Sequence, residues 1–206
     1  NYLFETDLNA MLNMKNETKS EEGYIKMHDI TLMADGSKVL VGEFYRRTVS
    51  ALGVASKLLS RSSTMAVTQI SIGDMFLLRI DNQNKPVSLE KIEKQVNRVQ
   101  LEADGMSLGL IARALSQEHE FGYIYTDEAG DPNKKTVLAE GTFEGERYGT
   151  VAITYDEKKG HKVKKFTLEK EKKTRIRISR GKPGHILVTK YNSKDNTLTV
   201  NLERVD

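Results

Sequence analysis

The sequence predicts a mainly β protein: antiparallel hairpin repeats forming a partial or irregular β-propeller-like architecture, with one or two short helices. Three observations carry this. Residues 30–45, ITLMADGSKVLVGEFY, set two apolar-alternating runs around an Asp-Gly tip. A pattern of apolar run, Asx residue and polar turn then recurs four times along the chain. Only one stretch, 107–119, has apolar spacing that clearly favours a helix.

From the N-terminus, YLFETDL reads as a strand and the polar NMKNETKSEEG after it as a loop. In the 30–45 hairpin, Asp35-Gly36-Ser37 forms the tip, because Asp and Gly tolerate the positive φ of a tight turn. One face carries Val39 and Val41, joined by Phe44 if the strand bulges at Gly42. TVSALGVASKLLSRSS (48–63) fits a helix through Val49, Leu52, Ala55 and Leu59, but Gly53 and the small residues equally suit a long connection.

The four repeated segments are MFLLRIDNQNKP (75–86), FGYIYTDEAGDPN (121–133), GTVAITYDEKKGH (149–161) and HILVTKYNSKDNT (185–197). Each runs into Asp81, Asp127, Asp156 or Asn192, then a polar turn, then a second strand-like run. An Asx side chain bonds the backbone two residues on, so it starts a turn well. Successive Asx positions lie 46, 29 and 36 residues apart, an irregular period near the length of one small propeller sheet. Hairpins of this kind cannot bury an apolar face alone and must stack on one another. Between them, SLGLIARALSQEH (107–119) places Leu108, Ile111, Ala112 and Leu115 on one helical stripe, with Ser107 as the cap.

With 206 residues, 38% hydrophobic and 30% charged, the chain suits one ordinary domain with a modest core. We expect a single β-repeat domain over 1–206: N-terminal strand and loop 1–23, first repeat 24–94, second repeat 95–169 and terminal repeat 170–206. Such a chain can belong to a longer array. No stretch approaches the roughly 18 uncharged apolar residues of a membrane span. There is no Cys, which removes disulfides and thiolate chemistry. The chain opens on Asn1 rather than Met, the expected start of a trimmed, mature product.

The run ADGSKVLVGEFYRR, followed by IGDMFLLRIDNQNKPVSLEKIEK, resembles the propeller-type repeat of uncharacterised secreted proteins of Bacteroidetes. The closing KPGHILVTKYNSKDNTLTVNLERV is similar to a terminal repeat of that kind. The resemblance covers 25–94 and 120–206 and implies an extracytoplasmic location. It implies no catalytic residues. The chain has no Trp and lacks the WD and kelch signatures of the regular propeller families.

Chemistry-bearing residues are few. His28, His119, His161 and His185 show no HxH or HExxH spacing, so no metal is expected. His28-Asp29 with Glu43 is the most enzyme-like group, since the hairpin brings Asp29 and Glu43 to nearby edges, and a carboxylate pair does acid–base work when burial raises one pKa. The competing reading of Glu43 is a solvated or salt-bridged edge residue. Asp127, Glu128, Asp131 and Asn133 offer oxygen ligands to Ca²⁺ but do not match the EF-hand loop; an ordinary hairpin tip is the simpler account. Phosphate-binding glycine loops and the Gly-x-Ser-x-Gly elbow are absent, so no cofactor is expected.

Net charge is +3, unevenly spread. Residues 158–182 hold twelve Lys or Arg against two Glu. Strand alternation there puts Arg175 and Arg177 on one face, opposite Ile176 and Ile178. If the strand carrying Lys162 and Lys164 lies beside it, a cationic ridge results, and Lys162, Lys164, Arg175, Arg177, Arg180 and Lys182 become a candidate anion site. The competing reading is that these cations blunt sheet edges. Interleaved aromatics are scarce, so nucleic acid is not the expected partner. The expected function is a non-catalytic extracytoplasmic binding or scaffold module for a protein or glycan partner. A carbohydrate-active hydrolase using Asp29 and Glu43, or a polyanion-binding protein, stand as alternatives.

Overall fold

The computed structural model describes residues 23–49, 51–59, 68–100, 106–127, 133–141, 149–156, 160–166 and 173–205. The expected strand and loop at the N-terminus lie outside them. The described chain forms three antiparallel sheets, each drawn from one continuous stretch of sequence. Sheet I contains β1 (Tyr24–Leu32), β2 (Lys38–Val49), β3 (Thr68–Ile80), β4 (Pro86–Ile92) and the short β5 (Asn97–Gln100). Sheet II is the meander β6 (Tyr123–Asp127), β7 (Lys134–Gly141), β8 (Gly149–Asp156) and β9 (Gly160–Phe166). Sheet III is β10 (Thr174–Arg180), β11 (His185–Asn192) and β12 (Thr197–Arg204). Two helices, α1 (Ala51–Leu59) and α2 (Leu108–Gln117), complete it.

The predicted turn chemistry is visible at three tips. Between β1 and β2, Asp35 accepts from the Ser37 N–H at 2.8 Å and Gly36 takes φ +81°. Asp81 accepts from the N–H groups of Gln83 and Lys85, while Asn84 takes φ +63°. Asn192 accepts from Lys194, with Asn196 at φ +52°. In each case an Asx side chain replaces the partner that the turning backbone lacks.

Sheet II is apolar on both faces, which explains its continuous runs TVLA and TVAITY. Val137, Ala139, Val151, Ile153 and Tyr155 pack on one side against Met33, Val39, Val41, Met75, Leu77 and Ile92 of sheet I. Leu138, Ala152 and Phe166 pack on the other side with Ile186, Val188 and Val205 of the sheet III stretch. The sheets therefore stack in the order I, II, III, as the hairpin argument requires. Emptying a position such as Ile153, fully buried between sheets I and II, costs about 2–5 kcal/mol in such cores.

Three local expectations are corrected. Phe44 does not join Val39 and Val41: it packs with Leu40 and Phe76 on the other face of sheet I. The irregularities fall on the neighbouring strands: on β1, where Met27 pairs with Gly42 and Asp29 with Val41, leaving His28 as the extra residue, and on β3, where Gly73 and Asp74 both face Phe44. Gly42 itself keeps its pairs with Met27 and Phe76, and a Cβ there would lie 2.4 Å from the Phe76 ring. Residues 51–59 are helical despite Gly53, but of the expected stripe Ala55 and Leu59 are exposed and Val49 belongs to β2. β5 was not foreseen: four residues with one apolar side chain give no readable period, yet it pairs with the first half of β3.

α2 matches its prediction. Ser107 caps it by accepting from the Leu110 N–H, and Ile111 and Leu115 are buried against Tyr45, Ile70 and Ile72. His119 ends it in the left-handed conformation, φ +57°, with the Glu120 N–H returning to the Leu115 carbonyl.

Candidate functional site

β2 carries Val39, Val41 and Glu43 on the face turned to sheet II, so Glu43 continues the core stripe and is completely buried. A lone carboxylate there is prohibitively costly and must be met by charge and donors. Four groups converge on it. Oε1 accepts from the Tyr123 N–H at 2.8 Å and Oε2 from the Gly122 N–H at 3.2 Å. The Lys94 ammonium, itself buried, pairs with Oε2. His28 Nε2 lies 3.2 Å from Oε1, in ion-pair range although its N–H direction misses a good hydrogen bond.

Each contact has a local cause. The extra residue at the β1 irregularity is His28, and its ring stacks on Tyr123 at 4.8 Å and meets Phe121 edge-on. Lys94 is turned inward because Asp74 accepts its backbone N–H at 2.8 Å, and Asp74 also pairs with Lys91. Gly122 is demanded by space: a Cβ would lie 2.3 Å from the Glu140 carbonyl oxygen and 3.0 Å from Lys94 Nζ. Burial alone would raise the Glu43 pKa, but the contact with His28 and the charge of Lys94 outweigh it and hold the carboxyl below its ordinary 4.5.

Two hollows adjoin this cluster. One of 630 Å³ is lined by Lys94, Asn97, Glu120, Phe121 and Gly122 among others. A smaller one of 210 Å³ is lined by Lys26, His28, Ser116, His119, Phe121 and Tyr123. Glu43 lines neither. Asp29 accepts from the Tyr123 hydroxyl at 3.2 Å and from the Ile30 N–H.

The remaining candidates separate. Asp127 is buried and faces sheet III, accepting from the Gly184 N–H at 2.9 Å and from Arg180 at 3.1 Å. Glu128 and Asp131 lie outside the described residues. His161 pairs with Glu90 of sheet I, and His185 contacts the Pro183 carbonyl within its own turn.

The cations do not form one ridge. β9 pairs with β8 and β10 with β11, so the two strands are in different sheets. Lys162 and Lys164 share the β9 face of Phe166, which packs toward sheet III; Lys164 bonds the Arg204 carbonyl and lies over the Phe166 ring. Arg175 and Arg177 stand exposed on the opposite, outward face of sheet III, as their alternation with Ile176 and Ile178 predicts. Arg180 is committed to Asp127, and Lys182 sits exposed in the β10–β11 turn.

Fold and site together define a stack of antiparallel sheets whose buried ionic groups join one layer to the next. The chain belongs to a family of unknown function, DUF6770, whose profile matches residues 2–206. No curated protein and no solved structure matches it.

Proposed function

We propose that the chain is a non-catalytic binding or scaffold module built as a propeller-like stack of sheets, working outside the cytoplasm as the secreted repeat proteins it resembles do. One observation carries the reading. Glu43, the residue best placed for acid–base work, is sealed from both hollows, with three hydrogen bonds on its oxygens and His28 against the fourth position. A carboxylate so enclosed leaves a substrate proton no path of approach. Hydrolysis assays on a panel of glycosides and peptides should show no turnover. Turnover that Asp29→Asn abolishes would overturn the proposal in favour of a hydrolase.

The exposure of Arg175 and Arg177 on one face favours a second reading, in which that face binds a polyanion. Retention on a heparin column should then fall in Arg175→Glu and Arg177→Glu. Weak retention unchanged by either substitution removes it.

A further inference from the structure

Sheet edges expose unpaired backbone groups, and natural edge strands carry charges, proline, irregularities or short length to prevent pairing. The described edges of sheets I and II follow this rule. β1 is irregular at His28, β4 begins with Pro86 and carries Glu90 and Lys91, and β5 has four residues. β6 is irregular between Tyr123 and Tyr125, and β9 carries Lys162, Lys164 and Lys165. In sheet III, β10 carries Arg175, Arg177 and Arg180. β12 differs. It pairs with β11 through eight residues without a register shift, and its only charges are the last two, Glu203 and Arg204.

β12 also presents an apolar row to solvent. Leu198, Val200 and Leu202 are 64%, 53% and 49% exposed. They share the outward face of sheet III with Tyr191, across from Leu198. Among the described residues, sheet III has three strands where sheet II has four.

We propose that two copies of this chain pair edge to edge through β12, antiparallel about a twofold axis at Val200, to make one six-stranded sheet. The sequence of β12 is self-complementary in this register. Val200 meets its twin, and Leu198 meets Leu202 of the second copy. The odd-numbered polar residues oppose one another, so all the apolar side chains stay on one face; a one-residue slip would turn the second copy over and break that row. Glu203 falls opposite Thr197 and Arg204 opposite Asn196, so no like charges meet across the seam. Pairing through β10 about Ile176 would instead bring Arg175 of each copy against Arg177 of the other. In the β12 arrangement the two arginine rows lie at opposite margins of the sheet, about 24 Å apart at ~4.8 Å per strand, well beyond the ~8 Å screening length. Main-chain hydrogen bonds supply the attraction and the Leu/Val row sets the register. This pairing does not depend on the non-catalytic reading above, because the hollows and the Glu43 cluster belong to sheets I and II.

The test uses the full chain. Sedimentation equilibrium should show a weight-average mass that rises from 23.3 kDa toward twice that as concentration climbs from micromolar to millimolar. Val200→Lys should remain monomeric throughout with an unchanged circular dichroism spectrum. The chain has no cysteine, so Val200→Cys introduces a single thiol on the axis. It should cross-link to a dimer under mild oxidation, whereas Leu32→Cys, at least as exposed on β1, should not. A parent chain that stays monomeric, including one that dimerises only after residues 1–22 are removed, overturns the proposal. So does a dimer that survives Val200→Lys, or equal cross-linking at position 32.

Discussion

Glu43 projects from sheet I and Asp127 from sheet II, and each accepts a backbone N–H on the stretch that forms the next sheet. Glu43 holds Gly122 and Tyr123 where β6 begins; Asp127 holds Gly184 just before β11. Their countercharges differ. The Lys94 side chain is 3% exposed, that of Arg180 61%. An arginine left alone at the second junction is already hydrated, whereas a lysine left alone at the first has only the margin of the adjoining hollow to turn to. The same device is therefore far more demanding at the I–II junction than at II–III.

The sharpest way to break this comparison is to neutralise each carboxylate. Glu43→Gln leaves Lys94 buried without its partner and should cost about 3–5 kcal/mol in denaturant unfolding. Asp127→Asn, which loses a hydrogen bond beside a hydrated arginine, should cost about 1–2 kcal/mol. Equal losses would erase the distinction. Proton binding reports on Glu43 as well. The folded pKa of Glu43 lies below its ordinary 4.5, so its contribution is complete above about pH 4.5 and disappears as pH falls through the lower folded value. Acid titration of stability should retain that loss in Asp127→Asn and lack it in Glu43→Gln.

A steric change of intermediate size sharpens the picture at the first junction. Gly122→Ala drives a methyl group against the Glu140 carbonyl, a backbone atom with little freedom to move. It should cost about 1–3 kcal/mol, read from the same unfolding curves. Arg177→Glu, exposed on the outward face of sheet III and away from both of these junctions, should change stability by no more than about 0.5 kcal/mol.

Much of this was legible in the sequence wherever the determinant was local. Asp35, Asp81 and Asn192 announced their turns because an Asx side chain bonds backbone within a few residues. Ser107 and the Ile111–Leu115 spacing announced α2 for the same reason. His28 meets Glu43 because one hairpin joins them, whereas Asp29 turns to the Tyr123 hydroxyl rather than pairing with Glu43, and the burial of Glu43 was not visible. It depends on sheet II, which begins eighty residues further on. Lys94 left no signal at all: in a polar stretch it reads as solvated, and only Asp74, on a neighbouring strand, turns it inward. The Asp127–Arg180 pair spans 53 residues and two sheets, a distance over which strand alternation carries no information. Alternation did place Arg175 and Arg177 together; what it could not reveal was that β9 and β10 belong to separate layers.

The account rests most heavily on Glu43 and Lys94 acting as one buried unit that fastens sheet I to sheet II. A thermodynamic cycle of Glu43→Gln, Lys94→Met and the double variant measures that directly. Removing both charges should cost less than the sum of the single losses by about 2 kcal/mol or more. Losses that add to within about 0.5 kcal/mol would contradict it.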